Sequence, residues 1–71
     1  MNEELFLKKI GQNIAQKRKS KGLSQIDVCF QIGMEKSNFS AIENGRQNAA
    51  SLTLKKIADA IGCEVKDFFE I

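Results

Sequence analysis

Apolar residues recur along this chain at intervals of three and four, and strand-type alternation is sustained nowhere. Leu7, Ile10, Ile14 and Arg18 fall on one helical face, with Phe6 widening the stripe, which predicts a helix over about 3–20. Glu3 and Glu4 suit its start, Lys19 and Lys21 its end, and Gly22 its stop. A second helix opens with "LSQID". There Ser24 and Asp27 have the spacing of a capping box, and Leu23 precedes the cap in position to staple against Val28. It ends near Ile32 and Gly33. A third runs over about 36–44, with Phe39 and Ile42 inward and Gly45 as its stop. A fourth, with Ser51 as its expected cap, carries Leu54, Ile57, Ala58 and Ile61 and ends at Gly62. A fifth short helix is expected over "EVKDFFE". The pattern is that of one all-α domain of five helices over residues 1–71, with no repeat or linker.

The second and third segments meet at "QIGMEKSNFSAIENG", Gln31 to Gly45. A tight turn between two short helices needs a left-handed backbone, which Gly33 adopts cheaply. Cys29, four residues earlier, is small enough for a close helix crossing. The spacing fits a helix-turn-helix, and it also fits an ordinary helical hairpin of a bundle. The third segment adds a second feature. Its face opposite Phe39 and Ile42 presents Lys36, Ser37, Ser40 and Ala41, mostly short side chains that let a helix backbone approach the floor of a major groove.

Size and composition narrow the function. A chain of 71 residues buries only about 60% of its extended surface, so a second subunit is an expected source of stability. It has two cysteines, without CxxC spacing, and no histidine, which argues against a zinc site and for buried free thiols in a reducing cytoplasm. "MNEELFLKKIG" is too charged for a signal peptide, and no apolar run reaches membrane-spanning length. Without His, Tyr, an activated nucleophile or a Gly-rich phosphate loop, catalysis and a cofactor are not expected. Net charge is +2, but "KRKSK" at 17–21 is basic and 59–71 is mainly acidic. The basic run reads either as a site for an anionic partner or as a solvated helix end.

"GLSQ" at 22–25, "IG" at 32–33, "SAIENG" at 40–45, "KKIADAIG" at 55–62 and "EVKDFFE" at 64–70 together resemble the Cro/phage-repressor family, also called the XRE family, across nearly the whole chain. The resemblance extends to its compact members, including controller proteins of restriction–modification systems. It implies a lambda-repressor-like fold with the helix-turn-helix at helices 2–3, bacterial or phage origin, and a cytoplasmic regulator of transcription on double-stranded DNA.

Within that frame Lys36, Ser37, Ser40 and Ala41 are the expected base contacts. Gln25, Asn38, Asn44, Arg46 and Asn48 are the expected backbone contacts, Gln25 because the family uses the matching glutamine on phosphate. A free carboxylate at Glu43 would repel DNA, and the family often pairs it with an arginine of the first helix, here Arg18, as a structural ion pair. Specific binding in this class calls for a dimer on a pseudo-palindrome. Leu52, Val65, Phe69 and Ile71 are the expected interface, with Phe68 assigned to the core.

The chain also departs from the family pattern. Cys29 replaces Ala, Phe39 replaces Ile or Val, and "NAAS" at 48–51 replaces Asn-Pro-Ser. Ile26 and Phe30, four apart on one face, occupy normally polar positions. Packing within the domain is the first expectation for them; contact with another subunit or with a partner protein, as in an antitoxin-type regulator, is the alternative.

Overall fold

The computed structural model describes all residues 1–71. Four α-helices, α1 (Glu3–Ser20), α2 (Gln25–Ile32), α3 (Lys36–Glu43) and α4 (Ser51–Ile61), are followed by a 3-10 segment, Val65–Phe69. The fifth expected helix is therefore a 3-10 turn. Its five residues are too few for a stable α-helix, and side-chain and backbone bonds at its ends hold it instead.

Local chemistry sets most of the boundaries. Asn2, not singled out in the sequence, caps α1 by accepting from the Leu5 N–H at 2.8 Å. Ser24 and Asp27 close the expected capping box on α2, with Asp27 N–H to Ser24 Oγ at 3.0 Å and Ser24 N–H to Asp27 Oδ2 at 2.8 Å. Those bonds favour the carboxylate and hold the Asp27 pKa below its ordinary value, the Ser24 backbone N–H being the largest cause. At the 3-10 segment Glu64 N–H donates to Asp67 Oδ2 at 3.1 Å, and Asp67 N–H to the Glu64 carbonyl at 3.0 Å. Gly33 ends α2 with φ of 68°, the left-handed geometry that the turn into α3 requires.

The expected cap at Ser51 is not formed. Ala50 is the N-cap of α4 and has no side-chain acceptor, so Ser51 is the first helical residue. With Ala at position 50, no hydroxyl or carboxamide stands where the chain turns, and α4 starts on the Leu54 N–H to Ala50 carbonyl bond alone.

A single core joins all the elements: Ile10 and Ile14 of α1, Val28 and Cys29 of α2, Phe39 and Ile42 of α3, Leu54, Ile57, Ala58 and Ile61 of α4, and Phe68. Phe39 and Phe68 are fully enclosed. Phe39 thus occupies a core site where the family pattern has a smaller residue. Leu23, Val65 and Cys63 pack on the cluster's edge. Both thiols are free; Cys29 is buried and Cys63 only half-buried. Loss of water raises both pKa values.

Ile26 and Phe30 do not join this core. Phe30 is 88% exposed and Ile26 62% exposed. Val28 and Cys29 take the inner face of α2, and its eight residues leave Ile26 and Phe30 on the opposite side.

α1 crosses the C-terminal end of α3 at close range. A Cβ at Gly11 would overlap the Glu43 carbonyl and lie 2.5 Å from the Ile42 carbonyl oxygen. From the other side, a Cβ at Gly45 would lie 2.7 Å from the Lys8 Cα. Two glycines, one on α1 and one just after α3, thus allow the backbones to touch. Neither obstruction is a flexible side-chain end. Gly11→Ala is expected to lower unfolding free energy in urea by at least about 1–3 kcal/mol, the usual range for overpacking. A loss below about 0.5 kcal/mol would show that the crossing yields easily.

Candidate nucleic-acid interface

α3 is anchored from within and open outside. Phe39 and Ile42 lie in the core, and Glu43 is also buried. Lys36, Ser37 and Asn38 are exposed, and Ser40 and Ala41 are half-buried. This places the four expected base-contact residues on or at the margin of one outer strip. Lys36 has no carboxylate partner among the ion pairs of the molecule, and neither has Arg46. Glu35, the N-cap of α3, makes no side-chain capping bond, so the first-turn N–H groups of α3 receive none from it.

After α3, Asn44, Arg46 and Asn48 are all exposed. Asn44 Nδ2 donates to Ser40 Oγ at 3.3 Å, leaving the serine O–H as a donor. Gly45 reverses the chain here with φ of 75°.

Beneath this surface lies a buried charge cluster. Arg18 Nε donates to Glu43 Oε2 at 2.8 Å and Arg18 Nη2 to Glu43 Oε1 at 3.1 Å, a two-pronged contact between planar groups. Arg18 Nη1 donates to the Leu23 carbonyl at 2.9 Å. Both side chains are more than nine-tenths buried. The hydrogen bond to Glu43 raises the Arg18 pKa, against the opposing effect of burial. Every buried side-chain nitrogen and oxygen in the molecule has a partner, so the cluster carries no unsatisfied polar atom.

Gln25 belongs to this cluster too. Its Nε2 donates to Glu43 Oε1 at 2.8 Å. The sequence assigned Gln25 only to the DNA backbone; the structure engages one of its two N–H groups inside the protein and leaves the side chain half-buried. No spacing rule pairs residues 18 apart across a turn, so this bond has no signature in the sequence. The basic run 17–21 also has an unforeseen setting. Lys17 lines one polar recess with Asp67 and Glu70 of the C-terminal stretch. The basic run thus borders the acidic C-terminal stretch of the same chain without an ion pair between them; the run's one ion pair is the buried Arg18–Glu43 contact.

Two short helices joined by a glycine turn, the second half-sunk in the core, describe a helix-turn-helix, and residues 14–68 match the HTH_3 family, Helix-turn-helix. The chain belongs to that family. It is 38% identical over 55 residues to the HTH-type transcriptional regulator y4dJ of Sinorhizobium fredii (strain NBRC 101917 / NGR234), covering 78% of this chain and 71% of that protein. It is 40% identical over 58 residues to the ImmF control region 10 kDa protein of Bacillus phage phi105, covering 82% of this chain and 64% of that one. Among solved structures it is similar to the restriction-modification controller protein C.AhdI from Aeromonas hydrophila, with a TM-score of 0.84, 33% identity, and coverage of 89% of this chain and 96% of that chain. The resemblance to the XRE family and its controller proteins is therefore confirmed.

The helix-turn-helix has its buried charges in one place, which makes the cost of breaking the cluster measurable. Arg18→Ala strands Glu43 with Gln25 as its remaining side-chain partner, and is expected to cost about 3–5 kcal/mol of unfolding free energy. Arg18→Met combined with Glu43→Leu is expected to regain most of that, because no uncompensated charge remains. Urea denaturation of the single and double variants checks both; a double variant no better than the single would show that the charges themselves define the packing.

Proposed function

We propose that the protein is a sequence-specific DNA-binding regulator of transcription that places α3 in the major groove. The carrying observation is the division of α3. Phe39, Ile42 and Glu43 fix it to the body, while Lys36, Ser37, Ser40 and Ala41 form an outer strip of mostly short side chains. A groove about 12 Å wide admits such a helix. In this reading Lys36 donates to guanine O6 and N7, the serines bond to base edges, and Ala41 meets a thymine methyl group.

Asn38, Asn44, Arg46 and Asn48, all exposed around the ends of α3, serve phosphates. Gln25 joins them through its second N–H, at the start of a helix whose backbone N–H groups already favour an anion. Its bond to Glu43 then orients the amide rather than competing for it. Because Glu43 is covered by Arg18 and Gln25, its negative charge is neutralised where phosphate would approach.

A second copy of the chain completes the reading unit. Leu52, Phe69 and Ile71 are exposed apolar residues and Val65 is half-buried beside them in sequence. Association through these residues would present two α3 helices to half-sites about 34 Å apart on a pseudo-palindrome. The similarity to C.AhdI, a restriction-modification controller protein, supports a regulator of this compact type.

Selection of sites from random duplex DNA tests the reading directly, since it yields a motif and its half-site spacing together. On the selected site, Lys36→Ala is expected to cost about 1–3 kcal/mol and to relax preference at one base pair. Arg46→Ala is expected to weaken selected and random duplexes alike and to lower the salt slope by about one. No enrichment over the random pool, or Lys36→Ala losing equally on both duplexes, would overturn the base-reading role.

A second reading is favoured by one observation, the exposure of Phe30 and Ile26 on α2. It has the chain also bind a protein, as an antitoxin-type or partner-controlled regulator does. Phe30→Ser removes a side chain outside the core, so stability and DNA affinity in vitro are expected to stay within about 0.5 kcal/mol. If this reading holds, regulation of a reporter gene changes while DNA affinity does not. Unchanged regulation would remove it.

A further inference from the structure

Asn13 is absorbed neither by the core nor by the DNA-facing surface. Its Nδ2 donates to the Phe68 carbonyl and to the Glu70 carbonyl, each at 3.0 Å. A carboxamide NH₂ has two hydrogens, and here both go to carbonyls two residues apart, across a sequence separation of 55 and 57. Phe69 lies between the two acceptors. The two carbonyls bracket the backbone of Phe69 and Glu70, and tying both to one carboxamide restricts the dihedrals of that two-residue span. The ring of Phe69 rests 6.3 Å from that of Phe6, at the edge of a recess of about 210 Å³ also lined by Leu7, Ile10 and Leu54. Phe68 is enclosed by the core and needs no further tether. Glu70 lies past the 3-10 segment, where no helical bond serves it. The added effect of the carboxamide therefore falls on residues 69–71, which are exposed.

We infer that Asn13 is a positioning residue for subunit association. Its carboxamide holds the Phe68–Glu70 backbone in the geometry that presents Phe69 and Ile71 to a second copy of this chain. The inference rests on the homodimer reading above and adds to it a residue of α1 outside the expected interface. Two hydrogen bonds per subunit keep the segment ordered before association, so the ordering cost is met within the monomer and not during assembly.

The full chain carrying Asn13→Asp tests this. The substitution preserves shape, removes both donors, and turns a carboxylate toward two carbonyl oxygens beside Asp67 and Glu70. Asn13→Ala removes the donors without adding charge. Sedimentation equilibrium is expected to show the dimer dissociation constant raised about tenfold or more, as the loss of two neutral hydrogen bonds in each subunit implies. Hydrogen exchange is expected to quicken at 69–71 and to stay unchanged at the core amides of α3 and α4. Dissociation constants within about twofold of wild type for both variants would overturn the inference and leave the dimer standing. Exchange quickening throughout the core would overturn it by showing a merely structural role. A wild-type chain that stays monomeric would sink the homodimer reading and this inference together.

Discussion

The buried contact of Arg18 with Glu43 is the constraint on which the rest of the structure turns. A buried arginine at the end of an apolar stripe is costly unless its charge is matched, and here Glu43, Leu23 and Gln25 complete the match. The cluster joins the last turn of α1, the turn before α2, the first residue of α2 and the last residue of α3. Those are the ends that a helix-turn-helix must keep in fixed relation if its second helix is to enter a groove at one angle. Apolar packing brings the helices together, but it tolerates rotation and sliding; a two-pronged bond between planar groups tolerates much less.

The glycine crossing works on the same joint by a different means. Gly11 and Gly45 let α1 lie against the backbone of the α3 terminus, so the charge cluster is reached from a short, stiff distance. At the other end, α3 begins without a side-chain cap. A helix of eight residues with one uncapped end is weak alone, and its stability has to come from Phe39, Ile42 and the joint at its terminus. The end that is bound tightly faces the protein body, and the end with free N–H groups and Lys36 faces outward.

Much of this was legible in the sequence because it is local. Period, caps and stops recovered α1 to α4 within a residue or so, and the Ser24–Asp27 box formed as its spacing implied. What was misread depends on chain context. Ser51 looked like a cap, but the turning residue is Ala50. "EVKDFFE" had helical spacing, but its length permits only a 3-10 turn. Ile26 and Phe30 looked as if the core would take them, but Val28 and Cys29 had already filled the inner face of α2. Of the site, the outer strip of α3 was readable from periodicity. The bonds of Gln25 and Asn13 were not, since carboxamides pair across any separation and leave no pattern in the chain.

The split of α3 between anchor and strip also bears on how such proteins diversify. Lys36 and Ser37 touch solvent, whereas Phe39, Ile42 and Glu43 hold the fold. Substitution at the first group carries little risk to folding; substitution at the second endangers the whole domain. If the strip reads bases as proposed above, a lineage bearing this helix can acquire new target preferences in single mutational steps, each passing through a folded and selectable intermediate.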